Sequence, residues 1–191
     1  MYNPLQEQPL EGLSTNYSYK NRVFILDEIT DLNTNRLIAD ITDIIDTLKS
    51  TKDPKVIEWY INSPGGSATA CKSLLSLMYM AKINFITNIT YVLGEAGSSA
   101  SLLAISGDYR YIYSYASHYI HYGSSGNRSF HPIEAKRNYE DDKRFYTWVY
   151  NMYIKNTLIP EDTLKTLMNH KGGFLYAPDA LKYKLADFVV D

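Results

Sequence analysis

A serine-rich turn and a histidine-bearing segment are the residues of this chain whose types can carry out chemistry. The stretch GEAGSSASLLAISG, residues 94–107, places four serines and three glycines beside an apolar run. A serine hydroxyl becomes a nucleophile at neutral pH when a neighbouring base accepts its proton. His121 is the fourth residue of the segment HYIHY, two positions before Gly123, and offers that base at a sheet edge. Small residues also let helices pack closely, so a purely structural role for the serines stays open.

Two glycine turns supply backbone N–H groups for the same chemistry. The first, NSPGG at 62–66, follows a predicted strand, and its double glycine lets the backbone approach a ligand closely. The second opens the predicted helix after Gly97, where unpaired N–H groups favour a developing negative charge. Both turns follow successive parallel strands, where open α/β sheets place their sites. Together they predict an oxyanion hole, although either turn alone is a common structural feature.

The elements that must position these residues alternate between strand and helix. Apolar runs and alternating patterns predict strands at 22–26, 56–62, 85–94, 109–114 and 118–122. Helices are predicted from Thr30 to about Leu48, over 67–82, after Gly97 and over about 132–155. A shorter helix after Pro160, one further helix and a final strand complete the chain. This order predicts an α/β fold with a parallel sheet.

The composition is that of an ordinary folded protein. The 191 residues are 45% hydrophobic and 21% charged, with a formal charge of −2, so one domain is expected and nucleic acid is not an obvious partner. No apolar run reaches the roughly 20 residues of a membrane span, and the start lacks a signal-peptide pattern, so we expect a cytosolic protein without membrane association. The single cysteine, Cys71, excludes an internal disulfide and a cysteine-rich metal site. The 18 tyrosines are compatible with subunit interfaces or with a genome bias.

Three separated blocks resemble the proteolytic subunit of the Clp protease, especially its bacteriophage members. They are YINSPGGSATA, GEAGSSASLLAISGDYRYIYSYASHYIHY and GGFLYAPDALKYKLAD, within a resemblance that covers Val23 to Asp191. The resemblance implies an α/β fold of the Clp protease and crotonase type, with stacked βαβ units and a protruding handle helix. Scattered prolines and polar residues without a period predict an N-terminal arm at 1–20, and residues 21–191 would form the single domain of this type. The handle region would span about 123–158, and a strand around 123–130 would border the substrate groove.

The resemblance further implies a site and an activity. Ser98 matches the nucleophile, His121 the general base, and the N–H groups of Gly66 and Ser99 the oxyanion hole. The implied protein is a serine endopeptidase that cleaves unfolded polypeptides by acyl transfer, without a metal or organic cofactor. It would form homo-oligomeric, seven-membered rings stacked in pairs as a tetradecamer, with an AAA+ unfoldase as a possible partner. The N-terminal arm does not match the family's pore-lining hairpin, which leaves the docking of that partner open.

The third member of the triad departs from the family pattern, because Gly172 stands where the family has an acid. Asp179 begins a predicted helix, where an acidic residue caps the N-terminus, so it is not expected to orient the histidine. Three outcomes stay open: Asn169 holds the imidazole, Asp141 or Asp142 holds it, or the protein is a weak or inactive protease kept for assembly. The glycines of the KGG segment also allow the loop to shift by a residue or two.

Ser67 and Ser101 match small packing residues of the family. Two other functions stay open beside the peptidase. One is a noncatalytic ring subunit with a scaffolding role, which the absence of an acid at Gly172 favours. The other is a crotonase-like enzyme that acts on an acyl thioester, which would share the fold and the oxyanion hole but would not need a serine beside a histidine. Capsid processing and general protein turnover are not distinguished by the sequence.

Overall fold

One mixed sheet runs through the part of the chain that the structure describes. The computed structural model describes residues 16–52, 54–123, 132–169 and 171–191. Its strands are β1 (Tyr17–Tyr19), β2 (Arg22–Ile25), β3 (Val56–Ser63), β4 (Thr87–Gly97), β5 (Tyr109–Tyr113), β6 (Ser117–Ile120), β7 (Gly173–Tyr176) and β8 (Phe188–Val190). Its helices are α1 (Asp31–Ser50), α2 (Ala68–Ile83), α3 (Ser99–Ala104), α4 (Pro132–Asn156), α5 (Glu161–Leu167) and α6 (Ala177–Lys182).

The strand order is β1-β2-β3-β4-β5-β8, and β6 pairs with both β4 and β7. The neighbours from β2 through β5 to β8 are parallel. Helices α1, α2 and α3 join β2 to β3, β3 to β4 and β4 to β5. The predicted α/β class with consecutive βαβ units is therefore confirmed.

Two antiparallel pairings were not predicted from the sequence. Strand β1 pairs antiparallel with β2, and β7 pairs antiparallel with β6. Residues 17–19 of the predicted arm thus belong to the sheet, while residues 1–15 lie outside the described residues. Both added strands are three or four residues long, too short for a periodic pattern to stand out.

Strand β4 carries the chain from the body of the sheet to the serine turn. Its residues 89–92 pair with β5, whereas residues 95–97 pair with β6. The register between β3 and β4 also shifts between Ile61 and Ser63, and such a shift bends a strand locally. The prediction ended this strand at Gly94, but the following residues find a new partner in β6 and continue it to Gly97.

Helix α1 begins and packs as its sequence predicts. Thr30 is the N-cap: its hydroxyl accepts the Asn33 N–H at 3.2 Å, and the Asn33 side chain accepts the Thr30 N–H at 3.0 Å. The residues that α1 buries follow helical spacing and are Thr34, Leu37, Ile41 and Ile45. This apolar face anchors the helix in the core.

Helix α4 changes character along its length. The described residues of its first half are largely exposed, with Ile133 at 75% and Tyr139 at 65%. Its second half packs into the protein, where Val149 and Tyr153 are buried. The helix thus fits the predicted protruding handle, although 124–131 of the handle region and of the predicted groove strand lie outside the described residues. None of the helices in the described ranges has the length and apolar character needed to cross a membrane.

Candidate active site

A serine and a histidine meet where β4 ends. The Ser98 hydroxyl oxygen lies 2.8 Å from His121 Nε2. Ser98 immediately precedes α3, and its N–H donates to the Tyr119 carbonyl of β6 at 2.8 Å. His121 directly follows β6, so this backbone bond fixes the serine turn against the strand that carries the histidine. The structure therefore brings together the two side chains that the sequence predicted to meet.

Ser98 occupies an unusual backbone conformation. Its φ of 50° and ψ of −120° lie in a region that residues other than glycine rarely adopt. Such a conformation costs on the order of 1–3 kcal/mol and persists only when the surrounding structure enforces it. The sharp strand-to-helix turn presents the hydroxyl at its tip, which is the geometry of a nucleophile elbow.

The two predicted glycine turns touch each other at Ser98. A Cβ atom on Gly65 would lie 2.8 Å from Ser98 Cβ and 3.0 Å from the Ser99 nitrogen, so only glycine fits there. The Ser99 hydroxyl also donates to the Gly66 carbonyl at 3.1 Å. Within the described residues, the N–H groups of Gly66 and Ser99 have no hydrogen-bond acceptor. Both residues line the same cavity as Ser98, so these donors are free to bind an oxyanion.

The other ring nitrogen of His121 meets a donor instead of an acceptor. The Gly123 N–H donates to His121 Nδ1 at 3.2 Å. A nitrogen that accepts a hydrogen bond carries no proton, so the neutral ring bears its proton on Nε2 and donates it to Ser98. Burial lowers the pKa of His121, which keeps the ring neutral at neutral pH. Proton abstraction from Ser98 needs the opposite tautomer.

At Gly172, where the resemblance places an acid, a side chain fits only if its neighbours shift. Gly172 has a φ of +66°, and a Cβ there would lie 2.9 Å from His121 Cβ and would overlap the Tyr119 hydroxyl. Tyr119 donates that hydroxyl to the Lys171 carbonyl at 3.0 Å. The Asn169 carboxamide oxygen accepts the Lys171 N–H at 2.9 Å, and Asn169 is exposed. The structure therefore gives Asn169 a local partner and does not bond it to the histidine.

Other predicted residues take definite places. Asp141 and Asp142 line the cavity that contains Ser98 and His121. Asp179 lies in the first turn of α6, but the expected cap was wrong, because the N-cap is Tyr176, whose side chain makes no capping hydrogen bond. The packing interpretation of Ser67 was wrong, because its hydroxyl accepts the Ala70 N–H as the N-cap of α2 and donates to Asp31 at 2.8 Å.

A second serine–histidine pair lies deeper in the protein. Ser101 Oγ is 2.8 Å from His118 Nδ1, and the Tyr153 hydroxyl donates to Ser101 at 2.9 Å. Ser101 therefore hydrogen-bonds both side chains, so it is more than the small packing residue that the sequence predicted. Ser101 and His118 are both fully buried, and burial lowers the pKa of His118 to about 3. A substrate carbonyl cannot reach this pair, which we interpret as structural.

Sequence reasoning missed this network, the Gly123 contact and the obstruction by Tyr119. The network had a detectable signal, since Ser101 lies one helical turn after Ser98 and His118 lies three residues before His121. The His118 Nε2 atom is buried without a hydrogen-bond partner among the described residues. The backbone contact at Gly123 leaves no signature in residue types.

Neither a metal centre nor a reactive thiol is found in the described residues. No group of three or more His, Cys, Asp or Glu side chains in those ranges is arranged to hold a metal ion. Cys71 is buried, its thiol donates to the Ser99 carbonyl at 3.3 Å, and burial raises its pKa to about 12. The thiol therefore stays protonated and acts as a small core residue.

The fold and this site define an α/β protein with a serine–histidine pair on a strand-to-helix turn. The chain belongs to the Clp protease family, whose model matches residues 12–191, and members of this family are serine peptidases. The expected Clp protease and crotonase type of fold is thereby confirmed.

Two relatives are each called "ATP-dependent Clp protease proteolytic subunit". The relative from Mesostigma viride is 28% identical over 193 residues, covering 95% of this chain and 79% of the relative. The relative from Chlorokybus atmophyticus is also 28% identical over 193 residues, with 95% and 80% covered. Neither organism is a bacteriophage, so these matches lend no support to the resemblance to phage members.

Proposed function

We propose that this chain is a serine endopeptidase of the Clp proteolytic-subunit type, with low intrinsic turnover. Ser98 is the nucleophile, His121 the general base, and the N–H groups of Gly66 and Ser99 form the oxyanion hole. The observation that carries the proposal is the 2.8 Å contact between Ser98 Oγ and His121 Nε2, beside two N–H groups that have no acceptor in the part of the chain that the structure describes.

The reaction follows from the positions of these groups. Ser98 Oγ attacks the peptide carbonyl carbon while His121 Nε2 takes the hydroxyl proton, and the carbonyl oxygen becomes an oxyanion held by the two N–H groups. The carbon–nitrogen bond then breaks, and the leaving amine takes the proton from Nε2. Water attacks the acyl-enzyme with the same base and releases the acid.

The base must change tautomer before the first step. His121 then carries its proton on Nδ1, and the Gly123 N–H loses its acceptor. In a Ser-His-Asp triad, replacing the acid by an amide lowers turnover about 10⁴-fold because the tautomer is wrong. No carboxylate hydrogen-bonds Nδ1 within the described ranges, so slow turnover is expected.

A ring subunit without catalytic activity is the second candidate. The Gly123 N–H on Nδ1 and the absence of an acid at Gly172 favour it, because together they hold His121 as a donor to Ser98. A crotonase-like thioester activity would gain nothing from a serine–histidine contact, so this geometry does not favour it.

We propose the same assembly for both candidates. It is a homo-oligomer of seven-membered rings stacked as a tetradecamer in the cytosol, with an AAA+ unfoldase as a partner and unfolded polypeptides as substrates. This part of the proposal is supported by family membership alone.

Hydrolysis of an unfolded protein tests the proposal. Fluorescein-labelled casein is incubated with the wild-type chain, with Ser98→Ala and with Ser101→Ala as the matched control. We expect slow hydrolysis that falls at least about 100-fold in Ser98→Ala and persists in folded Ser101→Ala. Equal rates for the wild type and Ser98→Ala in a well-formed ring would instead support the scaffold.

A further inference from the structure

One face of α4 forms a wall of the cavity beside Ser98. The cavity has a volume of about 670 Å³. Asp142, Phe145, Val149 and Tyr153 line it at helical spacing, so they form a single stripe along α4. The stripe is apolar where Tyr153 reaches Ser101 on α3, and it is acidic at the opposite end. The lining of the cavity along α4 therefore includes both apolar side chains and a carboxylate.

Asp142 lines the cavity together with His121 and Tyr122. Burial raises the pKa of Tyr122, the residue that follows His121, and the charge of Asp142 raises it further. The next residue, Gly123, also faces α4, since a Cβ there would lie 3.6 Å from Phe145. Phe145 and Asp142 thus belong to the lining that a substrate side chain in this cavity would contact.

Asp142 makes no ion pair within the described residues, although it is half-buried. Its neighbour Asp141 approaches Arg144 at 3.6 Å, with 58% and 82% of the two side chains exposed, and exposed pairs of this kind are weak. A half-buried carboxylate without a cation is electrostatically complementary to a cation that a substrate could bring.

The aromatic rings of this wall already contact a positively charged side chain. Lys72 Nζ lies 4.8 Å from the centroid of the Trp148 ring and 5.7 Å from that of Phe145. Lys72 is not among the residues that line the cavity, whereas both rings are. Its charge disfavours a second cation on the rings, so the rings are suited to an aliphatic stem and Asp142 to the charged head.

We propose that this cavity selects a lysine or arginine side chain of the polypeptide, with its stem against Phe145 and Trp148 and its charge facing Asp142. The proposal rests on the proposed function for the position of the cleaved bond, which would lie next to the selected residue. The selection itself is a property of the cavity and can be measured without turnover.

Binding to the full chain carrying Ser98→Ala is the direct test. Two capped octapeptide amides, identical except for lysine or norleucine at one central position, are titrated by calorimetry. We expect the lysine peptide to bind about 10-fold more tightly, and Asp142→Asn to bring the ratio close to one. Glu140→Gln is the matched control, because Glu140 is an exposed residue of α4 outside the cavity lining and should preserve the ratio. Equal affinities, or a ratio that survives Asp142→Asn, would overturn the proposal.

Hydrolysis by the wild-type chain separates selection from catalysis. The ratio of kcat/KM for the lysine and norleucine peptides should be about 10, and Asp142→Asn should collapse that ratio. If Asp142→Asn instead lowers kcat/KM equally for both peptides, Asp142 does not select lysine and acts with the catalytic pair. If neither peptide is cleaved while the binding ratio holds, the proposed function fails and the cavity selection stands.

Discussion

At the scale of single residues, the protonation of one imidazole governs what the site can do. Ser98 and His121 are in contact, but the Gly123 N–H occupies the nitrogen that an acid would otherwise orient. The types and order of Ser98, His121 and the two glycine turns could be predicted from the sequence. The direction of the hydrogen bonds could not, because a backbone donor such as Gly123 is present at almost every position of any chain.

The pH dependence of hydrolysis follows from the lowered pKa of His121. Only the neutral ring can accept the serine proton, so activity is lost as pH falls through that pKa. Because burial places the pKa below the ordinary value of 6.5, kcat/KM should stay level through neutral pH and decline only under more acidic conditions. A pH–rate profile of peptide hydrolysis gives the midpoint. A midpoint above pH 6.5 would contradict the conclusion that burial lowers the pKa of His121.

Placing an acid at position 172 should not repair the triad. Gly172→Asp puts a side chain at a φ of +66° against Tyr119 and His121 Cβ, so the loop must move or strain. We expect a loss of about 1–3 kcal/mol in the free energy of unfolding and no gain in turnover. Urea unfolding and casein hydrolysis measure the two effects. A stable variant with at least tenfold higher turnover would show that the loop adapts.

At the scale of elements, two serine–histidine pairs link the same helix and strand. Ser98, just before α3, contacts His121, just after β6, and Ser101 within α3 contacts His118 within β6. The hydrophobic patterns predicted α3 and β6 as separate elements. They could not show that β4 leaves β5 for β6 at residues 95–97, because that change of partner depends on tertiary pairing.

Removing the middle of the buried network should destabilise the fold. Ser101→Ala leaves the Tyr153 hydroxyl and His118 Nδ1 without their partner, and an unsatisfied buried group costs about 1–3 kcal/mol. Urea unfolding should show that loss. A triple variant, Ser101→Ala with His118→Val and Tyr153→Phe, removes the orphaned groups and should recover part of the stability. If Ser101→Ala unfolds like the wild type, the network does not bind these elements together.

At the scale of the whole molecule, a row of stacked aromatic rings crosses the sheet. Neighbouring ring centroids are 4.6–5.1 Å apart from β1 to β8, and the rings are Tyr17, Phe24, Tyr60, Tyr91, Tyr111 and Phe188. Four of the tyrosines therefore stack across strands. From composition alone, the high tyrosine content was compatible with either subunit interfaces or a genome bias. The strand order that aligns these rings could not be predicted from the sequence, because β8, at the far end of the chain, pairs with β5.

The centre of this row should matter more for stability than an isolated surface tyrosine. Tyr91→Ala removes the stacking contacts with Tyr60 and Tyr111. We expect the free energy of unfolding to fall by about 1–3 kcal/mol. Tyr79 is the control, because it is 66% exposed, and Tyr79→Ala should stay within about 0.5 kcal/mol of the wild type. Similar losses in both variants would argue against a contribution from stacking.

Site-mapped labelling with a fluorophosphonate tests the central claim most directly. The reagent phosphonylates a serine whose hydroxyl is activated by a base and whose oxyanion is stabilised, and mass spectrometry of the digested chain locates the adduct. We predict modification at Ser98, absent in Ser98→Ala and at least about 100-fold slower in His121→Ala. Modification at Ser101 instead, or an unreactive Ser98 in a correctly folded chain, would contradict the account.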